Sequence, residues 1–160
     1  MAAKYSDYEI AKMIAARKQL PADYKSYTKL RDKRGHKESF LDVAGDDGNS
    51  FRLILRQSMF NILDFSIILA VAIPDSNQLF RLRRYNGKSH EHSNEIEKNT
   101  FYDFHVHMAT ERYQDLGARE DTFAETSGKF NDYHSALRCM FEECGFELPY
   151  DPQQQLFEEG

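Results

Sequence analysis

The chain has 160 residues, 41% of them hydrophobic and 29% charged, and its formal net charge is −5. These proportions are typical of one folded globular domain and exclude a disordered or fibrous protein. The longest apolar run, ILDFSIILAVAI, contains Asp64 and is too short to span a bilayer, so we expect no membrane partner. The negative charge is concentrated at the C-terminal end, because residues 1–141 are nearly neutral, with 21 Lys and Arg against 20 Asp and Glu.

The N-terminal segment predicts a helix followed by a basic connection. Ser6 or Asp7 can cap a helix that runs to about Gln19, where a proline soon follows. Residues 17–37 then hold eight Lys and Arg against two acidic residues, and include a short predicted strand at residues 27–30. Such a basic cluster permits contact with phosphates or with an acidic partner, although most charge clusters only solubilise a surface.

The middle of the chain predicts strands, because apolar side chains recur there at every second position. ESFLDV leads into SFRLILRQS, where Phe51, Leu53 and Leu55 alternate with polar residues. FSIILAVAI is apolar on both faces, which is typical of a central strand, and QLFRLRRYN alternates again. The turn formers AGDDGN and PDSN separate these runs, and short turns join antiparallel neighbours.

A final helix is predicted from a cap at Asn131 or Asp132 to Gly145. The order of helix, four to five strands and helix predicts an α+β fold. We expect a curved antiparallel meander with the N- and C-terminal helices packed on one face. Residues 1–149 would form this single domain, and residues 150–160 an acidic, flexible tail.

Cysteine usage bears on the location of the protein. Cys139 and Cys144 lie five residues apart on one predicted helix, and therefore on different faces. We expect two free thiols and, because the chain starts with no apolar signal segment, a cytoplasmic location.

Four of the six histidines lie in one segment as two His-x-His pairs, His90 with His92 and His105 with His107. In TFYDFHVHMATER the even positions are mostly apolar and the odd positions mostly polar. A strand here would point His105 and His107 to solvent, with Glu111 further along on the same side. The loop that carries His90 and His92 precedes this strand and can return to it. The pattern predicts an exposed, histidine-rich strand face.

Three interpretations of this face stay open. In the first, the four imidazoles bind zinc, because His-x-His on a strand aims two nitrogens at one point, although the spacing matches no standard zinc motif. In the second, the histidines are acid/base groups of a metal-independent endoribonuclease. In the third, the face belongs to a non-catalytic binding or inhibitor protein, such as an antitoxin-like or anti-defence module.

The endoribonuclease interpretation accounts for the neighbouring arginines as well. Cleavage of RNA through its 2′-hydroxyl needs a proton acceptor, a proton donor and a cation near the phosphorane. Two imidazoles can hold opposite protonation states near neutral pH. We assign acid/base catalysis to His105 and His107, with His90, His92 and Glu111 in support. Phosphate contacts are assigned to Arg83, Arg84 and Arg112, and base stacking to Tyr85 and Tyr113.

The blocks RLRRYNG, SHEH and FHVHMATERY resemble a family of small bacterial proteins defined as a domain of unknown function, over roughly residues 51–144. That family supplies no activity to carry over. In architecture and residue types the chain also resembles the RelE/barnase-like ribonuclease toxins. The second resemblance implies a concave antiparallel sheet that cleaves RNA, and a cognate antitoxin as protein partner. The net acidity departs from those toxins, which tend to be strongly basic.

We therefore expect a cytoplasmic bacterial toxin-like endoribonuclease that needs no cofactor and acts on RNA. The alternatives are a binding or inhibitor protein that uses the same face, and a zinc site with His90, His92, His105 and His107 as ligands.

Overall fold

A computed structural model of the protein describes residues 4–149, so the predicted tail at residues 150–160 lies outside the described range. The helices are α1 (Asp7–Ala15), α2 (Tyr24–Thr28), α3 (Glu111–Asp115) and α4 (Tyr133–Glu143). The strands are β1 (Lys18–Gln19), β2 (Arg31–Lys33), β3 (His36–Ala44), β4 (Ser50–Ser58), β5 (Phe65–Ala72), β6 (Leu79–Asn86), β7 (His92–Asn94), β8 (Asn99–Phe101), β9 (His105–Met108), β10 (Ala124–Thr126) and β11 (Phe146–Glu147). Within residues 4–149 no helix has the length and apolarity needed to cross a membrane.

Seven strands form one open antiparallel sheet in the order β10-β9-β6-β5-β4-β3-β2. The doubly apolar strand β5 is at its centre, as predicted, and the α+β prediction is confirmed. The sheet exceeds the predicted four to five strands because β2 and β10, which were not predicted, have only three residues each. Such short strands depend on pairing with their neighbours and leave little periodic signal. Separately, β7 pairs with β8 as a hairpin, and β1 pairs in parallel with β11.

One face of the sheet, called here the inner face, carries the hydrophobic core. It presents the alternating residues of β4 together with Ile67 and Leu69 of β5, all of them buried. Helices α1 and α4 cover this face, α1 through Ile10 and Met13. These two helices therefore lie on one side, which leaves the opposite outer face of the sheet for other contacts.

Two predicted N-terminal elements differ from the structure. The first helix begins at the Ser6 cap, as expected, but ends at Ala15 instead of Gln19. The predicted strand at residues 27–30 is wrong, because α2 covers its first two residues and the strand begins only at Arg31, in β2. Strand β2 has no buried residue and owes its conformation to pairing with β3. Its position therefore has no signature in an apolar pattern.

The short strand β1 buries a lysine between two helix ends. The Lys18 ammonium nitrogen lies 2.7–2.9 Å from the carbonyl oxygens of Met13, Ile14, Ala16 and Cys144, which share its three N–H groups. These carbonyls lie at the C-terminal ends of α1 and α4, where backbone acceptors lack helical partners. Burial lowers the pKa of Lys18 to about 8, so the ammonium form still prevails at neutral pH. Lys18 thus joins the first and last helices.

Candidate functional site

The histidine strand is shorter than expected, but its side-chain parity is confirmed. The segment TFYDFHVHMATER divides into β8, β9 and α3, with Thr110 capping α3. In β9, Val106 faces the core, whereas His105 and His107 lie on the outer face. Their ring centroids are 5.0 Å apart. The two imidazoles therefore project together from one side of the backbone.

The expected exposure of these two histidines is wrong. His105 is 0% and His107 4% exposed. The β7–β8 hairpin covers them, and the Phe101 ring lies 5.5 Å from that of His105. Asn94 anchors the hairpin on β10, since it accepts the N–H of Ala124 at 2.9 Å and donates to its carbonyl at 2.7 Å. Parity determines the side from which a residue projects, but not what covers that side.

All four histidines of the two pairs form one cluster, called here the imidazole cluster. The His92 ring lies 4.8 Å from that of His107 and 5.7 Å from that of His105, centroid to centroid. The His90 ring lies 5.8 Å from that of His105. The segment between β6 and β9, which carries His90 and His92, thus folds back onto β9. His90 is exposed and His92 half-buried, so solvent reaches the cluster from the side of the first pair.

Hydrogen bonds orient three of the rings. Nδ1–H of His105 donates to the carbonyl of Asp103 at 2.7 Å, and Nδ1–H of His107 to that of Asp121 at 2.9 Å. Each ring therefore keeps its Nε2 lone pair. His92 donates through Nε2 to Oδ1 of Asn94 at 2.9 Å, which leaves its Nδ1 as the acceptor. These tautomers follow from the partners, because a carbonyl oxygen only accepts.

A separate hydrogen-bond chain orients the exposed imidazole. The Ser89 hydroxyl donates to Oδ1 of Asp64 at 3.2 Å, so its oxygen is free to accept from Nδ1–H of His90 at 3.1 Å. Nε2 of His90 then keeps its lone pair. A carboxylate linked to an imidazole, here through a hydroxyl, is an arrangement that stabilises a proton acceptor.

The buried pair is held in its neutral form. Burial lowers the pKa of His105 to about 4. Burial, together with the nearby Arg84 guanidinium, lowers the pKa of His107 to about 2. Arg84 lies opposite His107 on the neighbouring strand, and its Nε is 3.3 Å from the buried Asp121 carboxylate. At neutral pH His105 and His107 accept protons poorly and have none to donate beyond those already in hydrogen bonds.

The donors do not form a preassembled metal site. Within residues 4–149 no three side chains of His, Cys, Asp or Glu converge on one metal position. The ring contacts bring the imidazoles together, but Nδ1–H bonds fix two of the rings and Nε2–H a third. Metal binding would require at least the rings of His92 and His90 to rotate.

Arg83 and Tyr85 lie on the opposite side of the sheet from the imidazole cluster. The Tyr85 hydroxyl, fully buried, donates to Oε1 of Glu143 at 2.6 Å, and the Arg83 guanidinium is 3.7 Å from the same oxygen. Strand β6 has a β-bulge at Leu82, because Leu69 and Ala70 of β5 pair with Arg83 and Arg81 and leave Leu82 without a partner residue. The alternation therefore changes, and these two side chains contact α4 instead of a ligand on the outer face.

The predicted site residues on α3 are also separate from the cluster. Arg112 donates to Glu97 at 2.9 Å, and the Tyr113 hydroxyl donates to the same carboxylate at 2.9 Å. The Tyr113 ring is fully buried and cannot stack on an incoming base. Glu111 exchanges hydrogen bonds with Asp7 at the start of α1. Of the predicted phosphate ligands, only Arg84 adjoins the histidines.

Three contributors to the cluster were missed from the sequence. Asn86 faces His105 and donates to its Nε2 at 3.5 Å, a position that parity with Arg84 could have indicated. Asn94 and Asp121 come from segments without periodicity, and no pattern indicates them.

Comparisons of the chain with protein-family models, curated proteins and solved structures find no significant match.

Proposed function

We propose that the protein is a metal-independent endoribonuclease in which His90 and His92 are the acid/base pair. The observation that carries this proposal is the division of the imidazole cluster. Two rings are accessible, and two are buried, neutral and fixed by carbonyl groups. An acid/base group must reach the substrate, so the catalytic roles pass from His105 and His107 to the first pair.

The hydrogen bonds support a distinct role for each accessible ring. His90, oriented through Ser89 and Asp64, presents a free Nε2 to take the proton of a ribose 2′-hydroxyl. His92, when protonated at Nδ1, can donate that proton to the departing 5′-oxygen. The 2′-oxygen then forms a bond to phosphorus as the bond to the 5′-oxygen breaks, which yields a 2′,3′-cyclic phosphate and a free 5′-hydroxyl.

The buried pair, His105 and His107, supports the two catalytic rings by contact. The His105 ring contacts both accessible rings, and the His107 ring contacts that of His92. The buried imidazoles stay neutral and therefore add no charge to the site. The Arg84 guanidinium lies on the same face, opposite His107, and we assign it to stabilise the charge that develops on the phosphorane.

A cleavage assay tests the proposal directly. Single-stranded RNA incubated with the protein in EDTA should give products that end in a 2′,3′-cyclic phosphate, identified by mass spectrometry. His90→Ala and His92→Ala should each lower the rate by about 10²–10⁴-fold, the usual contribution of a general acid or base. His134→Ala removes an exposed histidine on α4 and should leave the rate unchanged.

The other outcomes discriminate between the three interpretations. Loss of cleavage on chelation, with restoration by zinc, would contradict a metal-independent mechanism and support the zinc site. RNA binding without any cleavage would support a non-catalytic binding protein. Cleavage that persists in the His90→Ala, His92→Ala double variant would overturn the proposed roles.

A further inference from the structure

The outer face carries a continuous row of paired residues that crosses the whole sheet. Residues paired across antiparallel strands project from the same side. The row consists of Arg31, Glu38, Arg56, Ser66, Asn86, His105 and Thr126. From Arg56 to His105 there are three strand spacings, or about 14 Å. The row therefore joins the edge of the sheet at β2 to the imidazole cluster.

The half of this row near β2 is open, and a cavity lies on it. The β7–β8 hairpin covers the β9 half, whereas Arg31 and Arg56 are exposed. The cavity has a volume of about 300 Å³, enough for a small organic ligand. Its lining residues are Gly35, His36, Arg56, Gln57, Ser58, Asp64, Phe65 and Ser66. Two of these also connect to the cluster, Asp64 through Ser89 and Ser66 through Asn86.

The cavity combines a cation with a carboxylate. Among residues 4–149 no carboxylate oxygen lies within 4.0 Å of the Arg56 guanidinium, and the carboxylate of its cross-strand neighbour Glu38 lies 3.2 Å from the Lys33 ammonium. A free guanidinium is suited to a phosphate. The Asp64 carboxylate requires donors, such as the N–H groups on the edge of a base. A nucleotide supplies both kinds of group in one ligand.

An exposed apolar loop borders the cavity. It joins β4 to β5, and the cavity is lined by Ser58, at the end of β4, and by Asp64, the last residue of the loop. Phe60 is 89% and Ile62 75% exposed. Ser58 accepts the N–H groups of Phe60 and Asn61, and Gln57 donates to the carbonyl of Ile62. The loop is thus built to present an aromatic ring to solvent, where it can stack on a base.

The β2–β3 hairpin adds positive charge next to the loop. It carries Arg31, Lys33, Arg34 and Lys37 against Asp32 and Glu38, and the carbonyl of Gly35 accepts the N–H of Met59. Basic side chains beside an exposed aromatic ring are the combination by which proteins bind single-stranded nucleic acid.

We infer that this open half of the outer face binds single-stranded RNA, with a base in the cavity, Phe60 stacked on a neighbouring base and Arg56 on phosphate. The inference deepens the proposed function, because the same strand would continue along the row to His90 and His92. A bilayer would bury the apolar loop but would leave the polar cavity without a partner. A duplex would keep its bases stacked and out of reach.

Fluorescence anisotropy with a 2′-O-methyl RNA of about ten nucleotides, a length within the range for such grooves, measures binding without cleavage. Phe60→Ala and Arg56→Ala should each weaken binding by about tenfold, in line with the loss of one stacked base or one phosphate contact. Tyr8→Ala and Arg138→Ala remove an exposed aromatic ring on α1 and an exposed guanidinium on α4, and should leave affinity unchanged. Circular dichroism should show all four variants folded, since the side chains are exposed.

Several results would overturn the inference. These are equal affinity for duplex and single-stranded RNA, no effect of Phe60→Ala, or binding through Phe60 to phosphatidylserine vesicles without binding to RNA. The two proposals fail separately. Affinity is measured on the uncleavable RNA, independently of any cleavage. If cleavage depends on these histidines while Phe60→Ala and Arg56→Ala change neither affinity nor KM, the enzyme assignment stands and the binding surface is wrong.

Discussion

His105 and His107 show how burial alone changes the behaviour of a side chain. In the folded protein their pKa values are lowered to about 4 and about 2, whereas an unfolded histidine titrates at about 6.5. Between these values the unfolded chain binds more protons than the folded one, so stability is present above pH 6.5 and is lost as the pH falls. By pH 5 the loss should be on the order of 2 kcal/mol per histidine.

Urea denaturation at pH 7 and pH 5 measures this loss. The His105→Gln, His107→Gln variant starts from lower stability because it disturbs a packed site, but its stability should change less between the two pH values. His134→Gln, at an exposed position, should keep the pH dependence of the natural chain. If the double variant lost stability as steeply as the natural chain, the two imidazoles could not be buried and neutral.

At the scale of elements, Gly87 sets how closely the β4–β5 loop approaches the end of β6. A Cβ at this position would lie 1.8 Å from the carbonyl oxygen of Leu63 and 2.9 Å from the Phe65 ring. Gly87→Ala must therefore displace backbone, and should lower the free energy of unfolding by about 1–3 kcal/mol. Gly128→Ala is the matched control, since its Cβ would meet no atom within 4 Å. Similar midpoints for the two variants in thermal denaturation would contradict this close approach.

Elements with a strong local pattern were predicted from the sequence, and elements without one were not. Strands β4, β5 and β6 follow their predicted runs closely because each is long and has a buried face. The cap of α4 at Asp132 was predicted for an equally local reason, as its side chain accepts the N–H of Ser135 at 2.7 Å. The β7–β8 hairpin had no such signal, because its residues are mostly exposed and Asn94 anchors it to a distant strand. That hairpin decides which histidines reach solvent.

At the scale of the whole molecule, the inner face of the sheet packs against the helices, whereas the outer face carries the imidazole cluster. Tyr85 on the inner face links β6 to α4 through Glu143, whereas its neighbours Arg84 and Asn86 face the imidazole cluster. Tyr85→Phe leaves the half-buried Glu143 carboxylate without its shortest donor and should lower stability by about 1–2 kcal/mol. Chemical denaturation measures this change, and the rate of the proposed RNA cleavage should stay the same. A loss of cleavage in the folded Tyr85→Phe variant would contradict the separation of the two faces.

The amino-acid sequence by itself determined the α+β class, the long strands, the terminal helices and the shared side of His105 and His107. Each of these depends on interactions within a few residues of one another or on a simple alternation. Only the tertiary structure decided that His105 and His107 are buried, that Arg83 faces α4, and that Arg56 and Phe60 border a cavity. These outcomes depend on a register shift in β6, on the hairpin over β9 and on pairings between distant segments. The physical reason is that burial and charge environment are set by atoms far away in the chain, which no local pattern records.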